Sequence, residues 1–441
     1  MTMRRRDFLL SLAVAAGLAL NVPSARADLD SYVKKDDPAY AWTQEGVDTL
    51  PGGTVTNIKL TSQVWQGITW QHQLRIIEPA EVAYPDAVLL FITGGSQTSK
   101  YRPEDAMLGL ALAKLSGARV AVLPQVPNQP LLGNRKEDDL ITETFVRYLD
   151  TKDEEWPLLF PMAKSAVKAM DAVQAWAKQE GKAEAKRFVV TGASKRGWTT
   201  WLTAATTDPR VVAIAPMVID TLNMRVQIDH SKKVWGKFSE QIEDYTRRGL
   251  TEKFDDPTGK KLWLMVDPYS YRDRLTLPKL VINGANDRYW VLDSLNNYWD
   301  GLKGPKAVVY LPNAGHNLAV NRDYALNGVA ALLRHTITNR PMPDLAWEHG
   351  EGSNGTLTLK VKSTPDPKSA KLWVAKAPTR DFRDSTWEAA PMVINGTVVS
   401  GETKRPEKGF IALIGDLEFE IDGVRYHLST QVRETGAKPT D

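Results

Sequence analysis

From Asp48 to Pro79 apolar and polar residues partly alternate, in the stretches VTNIKLTSQVW and GITWQHQLRIIEP on either side of Gly67. That rhythm predicts antiparallel strands. Beyond Pro79 it changes to short unbroken apolar runs, each followed by turn residues and a helical stretch: DAVLLFITGG, ARVAVLPQVP, KRFVVTGAS, VVAIAPMVID, PKLVINGAND and KAVVYLPNAGH. Such runs suit strands covered on both faces, as in a parallel sheet flanked by helices. Helical spacing is visible between them. In PMAKSAVKAMDAVQAWAKQE the residues Met162, Ala166, Met170, Val173 and Ala177 recur at three or four positions, and Trp198, Trp201, Leu202 and Ala205 repeat the pattern as a second buried stripe. The alternation predicts an α/β domain with a doubly wound, mostly parallel sheet, spanning residues 28–340.

Two regions break the rhythm. Residues 220–278 hold Trp235, Phe238, Tyr245, Phe254, Trp263, Tyr269 and Tyr271 with only weak strand signal, and read as a helical, aromatic-rich insertion. It is either a lid lining a pocket or a helical crossover with buried aromatics. After Arg340-Pro341-Met342-Pro343 the pattern becomes all β: Thr356 to Val361 alternates, Lys371 to Val374 continues the theme, and Phe419 to Tyr426 reads as a hairpin around Asp422-Gly423. A small β-sandwich over residues 341–441 is expected, as a structural appendage or a carbohydrate- or surface-binding module.

The N-terminus changes how the charge is read. Arg4-Arg5-Arg6-Asp7-Phe8-Leu9, an apolar run to Leu20 and Ala25-Arg26-Ala27 form a twin-arginine export signal over residues 1–27, with cleavage expected after Ala27. The apolar run is short for a permanent membrane span. A periplasmic or secreted mature protein without stable membrane insertion is therefore expected. Cleavage removes four arginines and one aspartate, which brings the formal charge from +3 to neutral. No broad field then gathers nucleic acid. The chain has no cysteine, which excludes disulfides, a thiol nucleophile and Cys-ligated metals. Asn354-Gly355-Thr356 and Asn395-Gly396-Thr397 match the glycosylation pattern, which a bacterial-type signal makes irrelevant.

The chemistry centres on Thr191-Gly192-Ala193-Ser194-Lys195-Arg196-Gly197-Trp198. A serine between a buried strand and a helix sits on a sharp turn, as a nucleophile or as a cap of that helix. The usual G-x-S-x-G spacing is altered, with Arg196 in the second glycine's place and Gly197 one position later. Later strand ends supply Asp287 after KLVINGAN and His316 after AVVYLPNAG, in the Ser, Asp, His order that places all three at one sheet edge. Asp220, at the end of the preceding strand, is the second-choice acid, and Asp267 is a further rival. His72, His230, His335, His349 and His427 read as surface or structural. For an oxyanion, the Lys195 amide is the expected first donor, and Gly95 or Ser96 the second, with Gln97 also in reach. The Lys195 and Arg196 side chains either bind an oxyanion or acidic substrate, or lie at the surface of the helix start. No Walker A, H-E-x-x-H or dinucleotide motif is present, so neither cofactor nor metal is expected.

The stretches TGASKRGWTTWLTAATTDPRVVAIAPMVID, LLFITGGS, VINGANDRYW and PNAGHN resemble the PhoPQ-activated pathogenicity-related proteins over nearly the whole mature chain. That resemblance implies an exported α/β-hydrolase-like fold with Ser194, Asp287 and His316 as its triad, and a link to envelope stress or virulence. The elbow alone also resembles glucuronoyl esterases, in which a basic residue follows the nucleophile and assists the oxyanion. The expected activity is serine hydrolysis of a small-molecule, peptide or carbohydrate ester or amide. The alternatives are a catalytically silent binding or signalling protein on the same fold, and an exopeptidase-like hydrolase.

Overall fold

The computed structural model describes residues 29–99, 103–352 and 355–437; the expected export signal and Asn354 lie outside the described residues. A short helix α1 (Leu29–Lys34) precedes three strands that pair antiparallel in chain order: β1 (Ala41–Leu50), β2 (Gly53–Trp65) and β3 (Ile68–Pro79). The parallel part follows as β4 (Ala87–Ile92), helix α2 (Pro103–Ser116), β5 (Arg119–Leu123), helices α3 (Glu137–Thr151) and α4 (Leu159–Gln179), β6 (Arg187–Ala193), helix α5 (Lys195–Ala205) and β7 (Val211–Met217). Then come helices α6 (Met224–Trp235), α7 (Glu243–Thr246) and α8 (Pro257–Val266), strands β8 (Lys279–Gly284) and β9 (Lys306–Leu311), and helix α9 (Arg322–Ile337).

Among the described residues β1 to β9 form one nine-stranded sheet in the order β1-β2-β3-β5-β4-β6-β7-β8-β9, parallel from β5 to β9. Each unbroken apolar run of the sequence became one of these parallel strands; every residue of β8, for example, is buried. Parallel pairing sends the ends of β4, β6, β8 and β9 to one edge, and the loops after them carry Gly95, Ser194, Asp287 and His316. Helix α5 departs from the one-stripe expectation, because all its residues from Lys195 to Ala205 are buried. It is covered by α4 on one side and by the 220–278 interval on another, so its polar threonines bond back to the helix carbonyls one turn earlier. Strand β1 begins well before the expected start at Asp48. Its sequence, AWTQEGVDTL, is half polar, as suits an edge strand with no fully buried position.

The interval 220–278 consists of α6, α7 and α8 joined by single 3₁₀ turns. Helix α8 starts where Asp256 accepts from the Thr258 and Gly259 amides, with Pro257 in the first turn. The tail holds β10 (Asp344–Glu351), β11 (Thr356–Thr364), β12 (Ser369–Ala377), β13 (Trp387–Pro391), β14 (Val393–Asn395), β15 (Val398–Lys404), β16 (Phe410–Ile421), β17 (Val424–Ser429) and β18 (Arg433–Gly436). They form two antiparallel sheets, β10-β11-β15-β14 and β13-β12-β16-β17 with β18 beside β16. The expected hairpin is present: Ile421 pairs with Val424 across Asp422 and Gly423, both at positive φ.

This tail is fused to the main sheet. Val309 and Leu332 share one apolar cluster with Leu413 and Tyr426. Tyr324 stacks on His427 with ring centroids 3.7 Å apart, and His335 bonds the Tyr426 hydroxyl at 2.8 Å. The segment between β12 and β13 reaches the loops after β8 and β9. Asn286 donates to the carbonyls of Phe382 (3.2 Å) and Ser385 (2.7 Å), while Asn313 exchanges two bonds with the Trp387 backbone (3.0 and 2.8 Å). Removing the tail would expose that shared core and leave both loops unsupported. A chain ending at Arg340 is expected to lose cooperative thermal unfolding, measured by circular dichroism; a cooperative melt of the truncated chain would contradict the shared core.

Candidate active site

Ser194 occupies a backbone conformation that few non-glycine residues adopt, with φ 59° and ψ −124°. Its amide donates to Met217 O at 2.9 Å, which ties the turn to the end of β7. Strand β6, helix α5 and strand β7 meet here too closely for side chains. A Cβ at Gly197 would lie 2.7 Å from Met217 O, and one at Gly192 would lie 2.7 Å from Arg196 O. The displaced glycine of the motif thus still serves the close approach, from position 197. Ser194 precedes α5, but its side chain makes no capping bond to that helix. Instead Oγ lies 2.8 Å from His316 Nε2.

His316 Nδ1 lies 2.7 Å from Asp287 Oδ2, and the other Asp287 oxygen accepts from the Tyr289 amide at 2.9 Å. A histidine with its proton on Nδ1 donates to Asp287 and leaves Nε2 free to accept from Ser194. The Tyr289 ring lies against the imidazole, 4.1 Å between centroids, and limits its rotation. The loops carrying the acid and the histidine touch at Gly284, where a Cβ would lie 2.6 Å from Ala314 O.

The loop after β4 lies beside this group. The Ser96 amide donates to Ser99 Oγ (2.7 Å) and the Gln97 amide to Gln129 O (2.7 Å), so neither is available for an oxyanion. That removes Ser96 and Gln97 from the expected second donors. Gly95, at φ 106°, remains; its amide donates to no acceptor among the described residues. Arg196 holds the loop in place. Its guanidinium grips Glu137 with two bonds (2.7 and 2.8 Å), donates to Val126 O (2.5 Å) and fills the space where Gly94 lacks a Cβ. Gln129 completes the link, donating to Glu137 (2.6 Å) and to Gly95 O (3.2 Å). Burial works against the Glu137 carboxylate, but the Arg196 fork wins and holds its pKa down to about 2.

Lys195 is likewise buried rather than at the surface of the helix start. Its ammonium lies 2.6 Å from Asp138, whose other oxygen accepts from Tyr245 at 3.0 Å. Burial disfavours the Lys195 charge, yet the Asp138 carboxylate outweighs it and raises the pKa above the ordinary lysine value. This pair lines a cavity of about 70 Å³ beside Ser194, several times what one water requires. Trp198 and residues of the 220–278 interval form much of its wall, including Met224, Tyr245, Phe254 and Trp263. Of the two expected roles, the insertion therefore lines a pocket.

Asp220 does not reach the histidine. It is buried and accepts from the Tyr298 hydroxyl at 2.5 Å. Burial pushes its pKa up to about 7, partly countered by the Tyr298 bond and reinforced by the charge of Asp287. Asp267 accepts from the Asn223, Met224 and Tyr269 amides and so fixes the start of α6. His72 bonds Ser62 and Pro124 O in the interior, and His230 pairs with Asp293 at 2.6 Å. Glu137, Asp138, Gln129 and Tyr289 escaped the reading of the sequence. One signal pointed to the first two: two cations at the start of a tryptophan-rich helix need counter-charges, and Glu137-Asp138-Asp139 is an acidic run at the start of another helix.

The sheet order, the strained strand-to-helix turn and the Ser194, His316, Asp287 contact define an α/β-hydrolase-like fold with a β-rich C-terminal part. The chain belongs to the PhoPQ-activated pathogenicity-related protein family, whose model matches residues 29–383. It is 33% identical over 425 residues to autocrine proliferation repressor protein A of Dictyostelium discoideum, covering 89% of this chain and 85% of that protein. Among solved structures it is similar to acetyl xylan esterase 1 of a Thermoanaerobacterium species (TM-score 0.49, 17% identity, 69% of this chain and 93% of that one). A second is a glucuronoyl esterase from Solibacter usitatus (TM-score 0.41, 12% identity, 70% and 92%). At these scores neither structure bears on the reaction.

The environment of Asp220 sets a pH dependence. A carboxyl whose folded pKa is raised contributes stability that is complete below its unfolded value, near 4, and lost as pH rises through about 7. Asp220→Asn keeps an acceptor for Tyr298 and removes the titration. The fall in melting temperature between about pH 4 and 7 should be shallower in the variant than in the parent. Parallel curves would show that Asp220 does not titrate there.

Proposed function

We propose that this protein is an exported serine hydrolase that cleaves an ester or amide through an acyl-enzyme. The observation that carries the reading is the continuous contact Ser194 Oγ, His316 Nε2, His316 Nδ1, Asp287 Oδ2, at 2.8 and 2.7 Å. In the reaction His316 takes the Ser194 proton as Oγ attacks the substrate carbonyl, and Asp287 keeps the imidazole oriented and stabilises its charged form. The Lys195 and Gly95 amides receive the developing oxyanion, each donor of this kind being worth about 3 kcal/mol. His316 returns the proton to the leaving group, and a water deprotonated by His316 then releases the acid and restores Ser194.

Strain supports the same reading. A serine at φ 59° costs on the order of 1–3 kcal/mol, and such residues persist where the surroundings over-determine them, commonly at functional sites. Val218, a β-branched residue at φ 45°, and Glu137 at φ 50° are further outliers close to the same elbow. Export is proposed from the twin-arginine pattern of the first 27 residues, with the mature protein periplasmic or secreted. A second reading, a signalling protein without turnover, draws on the name of the Dictyostelium relative.

Hydrolysis of neutral chromogenic esters separates the two. Turnover is expected in the parent and should fall to background in Ser194→Ala. Asp287→Asn should lower kcat by about four orders of magnitude, since it imposes the wrong tautomer on His316. No turnover across acetyl, butyryl and phenylacetyl esters would favour the signalling reading.

A further inference from the structure

Resting on the hydrolase reading, we propose that the cavity beside Ser194 receives an uncharged apolar group of the substrate, preferentially an aromatic one, and rejects both acidic and cationic groups. The basic residue after the nucleophile suggests an acidic substrate, but the structure gives that charge away. Lys195 is held by Asp138 at 2.6 Å, and Asp138 also accepts from Tyr245, so the wall carries a neutral pair rather than a free cation. A substrate carboxylate would have to leave water and compete with Asp138 for the same ammonium. That is costly in a cavity otherwise walled by Trp198, Met224, Phe254 and Trp263.

A cationic group fares no better. Aromatic walls attract cations, but the ammonium of Lys195 already lies 5.3 Å from the Tyr289 ring centroid and neutralises Asp138, so a second cation would leave water with no counter-charge to meet it. A flat neutral group meets no such penalty. Trp198, Tyr245, Phe254, Trp263, Tyr289 and Trp290 make the lining largely aromatic, and rings favour the offset and edge contacts that an aromatic group offers.

Binding to the Ser194→Ala protein tests this without turnover. Calorimetry would compare methyl phenylacetate, monomethyl succinate and the methyl ester of betaine. The neutral aromatic ester should bind at least about tenfold more tightly than either charged one. Comparable or tighter binding of a charged ester, or no binding of the neutral one, would overturn the proposal. Asp138→Asn in the same background frees Lys195 and should raise affinity for monomethyl succinate about tenfold or more, with little change for the neutral ester. No gain in a folded variant would remove the role given to the ion pair. Binding as expected while the parent shows no hydrolysis would leave this inference standing and sink the hydrolase reading; hydrolysis with a preference for a charged ester would do the reverse.

Discussion

The strained turn at Ser194 is the constraint on which the rest of the site depends. An L-residue at φ 59° is held there by the hydrogen bond from its amide to Met217 O and by two glycines that let β6, α5 and β7 meet at backbone distance. Any relaxation of that turn would swing Oγ away from His316. The replacement of the motif's second glycine by Arg196 makes sense in these terms. The backbone contact moves to Gly197, and the arginine side chain runs out of the turn to grip Glu137 and lie against Gly94. One residue thus couples α5 to the loop that carries Gly95.

Each buried cation next to Ser194 has its own carboxylate: Arg196 with Glu137, and Lys195 with Asp138. Buried pairs add little to stability when compared with apolar packing, because desolvation offsets most of the attraction. Their value here is geometric. Consecutive residues of α3 meet consecutive residues of α5, so the two pairs fix the register of those helices and the shape of the cavity between them. The C-terminal sheets complete the frame from the opposite side, through Asn286 next to Asp287 and Asn313 near His316.

Much of this was legible in the chain. Short unbroken apolar runs marked the buried parallel strands, because a strand covered on both faces has no polar alternation. Strand ends then placed Ser194, Asp287 and His316 at one edge. What stayed hidden were contacts set by three-dimensional approach. Arg196 and Glu137 are 59 positions apart, and Asn313 and Trp387 are 74 apart, so no local pattern links them. The first half of strand β1 stayed hidden because an edge strand with no fully buried position carries a weak apolar signal. The sequence does not separate Gly95 from Ser96 as a donor; the bonds of the Ser96 and Gln97 amides to Ser99 and Gln129 do.

We propose that Ser194 is an activated nucleophile because His316 and Asp287 are in contact with it. Treating the mature protein with a fluorophosphonate and mapping the modified peptide by mass spectrometry tests this directly. One adduct is expected, on Ser194, and it should disappear when His316 is replaced by alanine. An adduct on another serine, or an unmodified Ser194 in the folded protein, would contradict it.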